Sequence, residues 1–138
     1  MDMVANMIHD LENGVGKIIN IRAINGDMDI EGEFGILSID YISGIVPSSL
    51  LLFNTESRVI VEVSLGAVKE YEISSRILDT EGLVGSTAIV NNNEDGGLHF
   101  LKTGTRCKII ATFETRFNKF AIVDKSEQIV PLGDLTIK

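Results

Sequence analysis

The chain has 138 residues, 44% hydrophobic and 23% charged, with twenty acidic against twelve basic side chains and a net charge of −8. That length suits one domain with a buried core, and no apolar run approaches the roughly 20 residues of a membrane-spanning helix. The acidic balance disfavours a nucleic-acid partner; the single Cys107 excludes an internal disulfide, and a start at Met1-Asp2 without a basic n-region points to a cytoplasmic protein.

Val4, Met7, Ile8 and Leu11 have the spacing of one helical face, with Asp2 placed to cap the segment and Asn13-Gly14 to stop it. A short amphipathic helix and turn are therefore predicted over residues 1–16, too short to stand alone in water. From Lys17 onward the pattern changes to short β-branched runs. Lys17 to Ile24 reads as a strand, Asn25-Gly26-Asp27 as a hairpin turn, and Asp29 to Ile39 as a second strand interrupted at Glu31-Gly32 and Gly35. Glycines inside such a run mark bends that curve a sheet. Gly44 to Leu52, Ser57 to Leu65, Tyr71 to Leu78, Leu83 to Val90 and Leu98 to Leu101 follow as further strands. Asn91 to Gly97, between the last two, is rich in Asn, Asp and Gly and reads as a loop; Glu94 and Asp95 lack the spacing of a calcium loop.

Past Thr103, Ile109, Ile110, Phe113, Phe117, Phe120 and Ala121 recur at intervals of three and four, which predicts a helix over 103–121. A rival reading makes alternating Cys107, Ile109, Ala111 and Phe113 one strand. It turns at Arg116 to Lys119 and continues through Phe120-Ala121-Ile122-Val123. The helix is preferred because a regular hairpin puts Ile110 and Phe117 on the wrong face. Residues 122–138 read as an extended tail in which Pro131 allows only an edge strand or a surface extension. No internal repeat is visible. The fold expected is a single mainly β domain: a six- to seven-stranded antiparallel β-barrel over 17–102, a short N-terminal helix and a C-terminal helix.

No constellation of catalytic residues emerges, so no enzyme and no metal site are expected. His9 and His99 are isolated, and His99, between Leu98 and Phe100, is expected to face solvent. Two histidines and one cysteine give no zinc spacing, and no Gly-x-Ser-x-Gly turn presents a nucleophile. The pairs Asp10/Glu12 and Asp27/Asp29 read as solvated carboxylates. Gly14-Val15-Gly16-Lys17 lacks the phosphate-loop spacing and reads as a helix stop. Arg106, Lys108, Arg116 and Lys119 are the densest basic group, a solvated face.

Gly35 to Ile45 looks like a strand running into an Asp-x-Ser-x-x-Gly turn, Arg58 to Leu65 with Glu72 to Leu78 like a central hairpin, and Gly96 to Leu101 like a last strand. In this order the elements, over roughly residues 17 to 120, resemble the PilZ domain, a small antiparallel barrel of bacterial cyclic di-GMP signalling. The resemblance implies a ligand motif Arg-x-x-x-Arg ahead of the first strand, where guanidinium forks grip phosphate and guanine edges. The equivalent stretch, Ile8 to Lys17, contains no arginine, and Asp40, Ser43 and Gly44 are spaced Asp-x-x-Ser-Gly. The resemblance thus implies a regulatory or adaptor module working by protein contact in a motility, pilus or surface-behaviour pathway, as a monomer or homodimer without a cofactor. If cyclic di-GMP binds at a non-standard site, Arg22, Asp40, Ser43 and Gly44 are the residues implied. A structural or assembly β-barrel protein of a phage or secretion machine is the other reading.

Overall fold

Ten strands and one α-helix form in the computed structural model, which describes residues 3–92 and 99–138, with backbone alone for residues 3 and 4. The chain falls into two compact units, Met1–Ile77 and Leu78–Lys138. No helix among the described residues is long and apolar enough to cross a membrane.

The first unit opens with α1 (Met3–Glu12), which buries Met7 and Leu11 against the sheet. The helix stops at Gly14, whose N–H donates to the Leu11 carbonyl. A Cβ at Gly14 would come within 3.1 Å of the Asp10 carbonyl and 3.2 Å of both the Ile36 and Ile73 side chains. A side chain there would force these neighbours to give by a few tenths of an ångström, so glycine suits the position where the chain turns out of α1. Next come β1 (Lys17–Asn25), β2 (Met28–Ile42), β3 (Val46–Asn54), β4 (Ile60–Ser64) and β5 (Val68–Ile77). Gly26 and Asp27 make the two-residue β1–β2 turn, with positive φ at Gly26 alone, as in a type II′ hairpin.

All pairings are antiparallel, in the order β4-β3-β2-β1-β5. Consecutive strands β4 and β5 thus lie at opposite edges, joined only by a 3-10 turn, Leu65–Ala67. Four strand spacings in a flat sheet separate the edges by about 19 Å, whereas the four residues from Ser64 to Val68 reach about 14 Å at full stretch. The sheet must roll. It nevertheless stays open, because β4 and β5 are not hydrogen-bonded to each other. Ile19, Ile21, Ile36, Leu50, Leu52 and Val63 fill the inside of the roll.

The second unit contains β6 (Thr87–Val90), β7 (Arg106–Glu114), β8 (Lys119–Val123), β9 (Ile129–Pro131) and β10 (Leu135–Ile137). Their order is β10-β6-β7-β8-β9, so the last strand again pairs with the first, after a second 3-10 turn, Leu132–Asp134. The two units therefore share one topology, and their turns share a local signature. Ser64-Leu65-Gly66-Ala67-Val68 matches Pro131-Leu132-Gly133-Asp134-Leu135, with similar angles at the preceding residue (φ −62, ψ 136 and φ −55, ψ 136). In both turns the closing N–H donates to the leucine carbonyl. The likeness escapes the sequence because it lies in strand order, the two turns having only Leu and Gly in common.

Several expectations are corrected here. Two open five-stranded sheets replace the single closed barrel. Residues 103–121 form no helix: they are the β7–β8 hairpin, turning at Thr115–Asn118. A β-bulge at Ile110 supplies the missing register step, since Ile109 pairs with Val123 and Ala111 with Ile122. Phe117 sits at the turn, 95% exposed, while Phe113 and Phe120 stack across the ladder with centroids 5.2 Å apart. The expected strand at Leu98 to Leu101 is irregular from His99 on, and Leu98 lies outside the described residues, as do Asp2, Glu94 and Asp95. Residues 122–138 are no surface tail: Val130 and Leu135 are buried, and β9 is the edge strand that Pro131 permits.

His99 does not face solvent. It is buried, its Nε2 3.0 Å from Asp134 Oδ2, and its Nδ1 accepts the Leu101 N–H at 3.3 Å. Nε2 is therefore the nitrogen that donates to the carboxylate, and the imidazole clamps the second 3-10 turn onto the segment that enters β7.

Candidate functional site

Outward-facing positions on β1 alternate as Asn20, Arg22 and Ile24, and the ladder sets Arg22 between Glu31 on β2 and Glu70 on β5. A shallow recess of about 330 Å³ follows, lined by Asn20, Arg22, Glu31, Glu70, Tyr71 and Glu72. The Arg22 Nε lies 3.8 Å from Asp29 and 3.9 Å from Glu31, ion pairs too long for good hydrogen bonds. One guanidinium here faces several carboxylates. Farther along the same face Arg76 pairs with Glu33, which holds the Glu33 carboxyl below its ordinary range. Such a surface repels a dianionic ligand and attracts a cation.

Tyr71 links this recess to a second one of about 360 Å³, lined by His9, Asp10, Asn13, Lys17 and Ile73. Its hydroxyl donates to Asp10 at 2.9 Å; burial, then the bond to the Asp10 carboxylate, raises the phenol above its ordinary pKa. The segment that the resemblance assigns to ligand arginines thus presents a histidine, an aspartate and a lysine.

Arg22, Asp40, Ser43 and Gly44 do not converge. Arg22 pairs with Glu31, and Asp40 lies nine residues farther along β2, about 30 Å at strand rise. Ser43 and Gly44 form the β2–β3 turn, with φ of 55° and 70°, and the Ile45 N–H closes it on the Ile42 carbonyl at 3.1 Å. Turn geometry alone accounts for that pair. Asp40 instead meets Glu62 of β4 and Ser49 of β3. Burial first, and then the Glu62 carboxylate, raises the Asp40 pKa above its ordinary value.

Sequence reasoning missed the side chains around this turn. Tyr41, Ile42, Ile45 and Val46 all point into solvent, with Ile42 60%, Ile45 78% and Val46 56% exposed. The Tyr41 hydroxyl donates to Glu12 at the end of α1, at 2.6 Å. A signal was present: Tyr41 to Pro47 is apolar except at Ser43 and Gly44, too continuous for a solvated hairpin tip. Charge is also unevenly divided. Residues 1–77 hold twelve acidic and five basic side chains, a net −7, against eight and seven, a net −1, in residues 78–138.

Among the described residues no group of three His, Cys, Asp or Glu side chains could hold a metal ion. No protein-family model matches the chain, and a comparison with curated proteins finds no significant match.

Proposed function

We propose that this chain is a non-catalytic regulatory or adaptor module, PilZ-like in the order of its first elements, working in the bacterial cytoplasm through protein contacts in a motility, pilus or surface-behaviour pathway. The observation that carries the reading is the exposed apolar turn between β2 and β3 on a unit of net charge −7. Solvent-facing isoleucines at a hairpin tip lower stability and solubility unless a partner covers them. The surroundings of Arg22 support the same reading, since three flanking glutamates disfavour a dianionic dinucleotide.

Calorimetric titration with cyclic di-GMP tests it. No heat is expected at millimolar ligand. Micromolar binding that disappears in Arg22→Ala would replace the adaptor with a receptor using a non-standard site. Light scattering adds a second check: a monomer or homodimer is expected, and a large ring would favour an assembly protein.

A further inference from the structure

The β2–β3 hairpin outruns its neighbours. β1 pairs with β2 only through Gly35, and β4 pairs with β3 only from Ser49, so residues 40–48 project as a two-stranded ribbon. The positive φ of Ser43 and Gly44 fixes its end, and Tyr41 tethers one side to Glu12 of α1. Ile42 and Val46, opposite each other across the ribbon, share one face beside Ile45 in the turn, and Tyr41 on the other face braces them.

From this geometry we infer that the hairpin tip, Ile42, Ile45 and Val46, docks a cationic amphipathic segment of a partner protein, the apolar stripe on the tip and the Lys or Arg side chains on the carboxylates around it. The inference rests on the adaptor reading and gives it a surface and a partner chemistry. Charge decides among occupants. Between Arg22 and Arg58 there is no Lys or Arg, while Asp27, Asp29, Glu31, Glu33, Asp40 and Glu56 are all acidic. At the base of the ribbon Asp40 and Glu62 already crowd each other, and Glu12 stands beside Tyr41. An anionic membrane would meet these carboxylates with like charge, and so would the same tip of a second copy. A cationic segment relieves them. Strand addition is disfavoured as the mode, because Pro47 removes a backbone donor from the free edge of β3. Recognition falls to side chains, as when an amphipathic helix lays its apolar face on a complementary surface.

The test uses the full chain and an 18-residue peptide of Leu and Lys with its leucines at helical spacing, read by fluorescence anisotropy at low salt. Two control peptides replace every Lys by Glu or every Leu by Ser, and vesicles with and without anionic lipid form a third arm. The Leu/Lys peptide should bind, and the double variant Ile45→Ser, Val46→Ser should weaken it by about tenfold or more. Asp40→Asn should weaken it about two- to threefold and flatten its salt dependence. Both serines replace exposed side chains, so an unchanged circular dichroism spectrum is expected of the variant. Equal binding by the wild type and the double variant would overturn the assignment of the tip while leaving protein contact as the role. Equal binding of the Glu peptide would overturn the cationic partner, and tip-dependent partition into vesicles without peptide binding would overturn a protein occupant. Heat from cyclic di-GMP, by contrast, would strike the adaptor reading itself.

Discussion

Two aspartates carry opposite pH signatures, each traceable to its neighbours. Burial alone would raise Asp79, but the Thr112 hydroxyl and the Leu83, Val84 and Gly82 N–H groups together outweigh it and hold the carboxyl below its ordinary range. Its contribution to stability is present above the unfolded pKa and is lost as pH falls through the folded one. Asp40 is the reverse. Its folded pKa is raised by burial and by Glu62, so its favourable contribution is complete below its ordinary value of 3.8 and is lost as pH rises through the folded value. At neutral pH the Asp40/Glu62 pair therefore destabilises the fold. Asp40→Asn should raise the melting temperature at pH 7, by an amount corresponding to about 0.5 kcal/mol for so exposed a pair. Below pH 4 the gain should vanish. Melting curves of both proteins from pH 3.5 to 8 check this; a pH-independent difference would mean that Glu62 is not the cause.

Among the elements, α1 depends most on one close approach. Met7 and Leu11 bury on the sheet, and the turn that follows brings Gly14 close against Ile36 and Ile73. Gly14→Ala places a methyl 3.1 to 3.2 Å from three neighbours, one of them backbone. The expected cost is about 1–3 kcal/mol, as for overpacking elsewhere; an unchanged denaturant midpoint would show that the neighbours yield. This element was legible in the sequence because a single helical stripe faces a single sheet. The first five strands were legible too, since their β-branched and apolar runs are separated by turns that carry Asn, Gly and Ser, even though β2 buries Phe34 to Leu37 in succession. The β7–β8 hairpin was legible only as the rival to the helix that was preferred. A bulge at Ile110 shifts the alternation by one, and consecutive Ala111, Thr112 and Phe113 are all buried, so the apolar residues fall at intervals of three and four without a helix. His99 was misread for a related reason: it lies in an irregular segment, where strand alternation says nothing about facing, and its partner Asp134 is 35 residues away. Of the site, Arg22 was singled out as a ligand residue; the carboxylates opposite it come from strands whose register sequence alone does not fix.

At the scale of the whole chain the governing fact is that one topology is built twice on surfaces of different charge. The first unit carries a net −7 and the second −1, so self-repulsion acts on one and hardly on the other. Both tyrosines, Tyr41 and Tyr71, lie in the first unit, and the chain has no tryptophan. Tyrosine fluorescence therefore reports the first unit alone, whereas far-ultraviolet circular dichroism reports both. Raising NaCl from about 20 to 200 mM shortens the screening length from about 20 Å to about 7 Å. Carboxylates of β2 and β5, the two strands that flank β1, then repel one another less. The fluorescence midpoint should rise by about 3–5 °C, the shift expected when a unit of this size gains somewhat under 1 kcal/mol. The dichroism curve should split or broaden, because its second component stays in place. A fluorescence midpoint indifferent to salt would mean that Arg22 and Arg76 already neutralise the acidic face, and the attraction for a cationic partner would then have to come from Asp40, Glu62 and Glu12 alone.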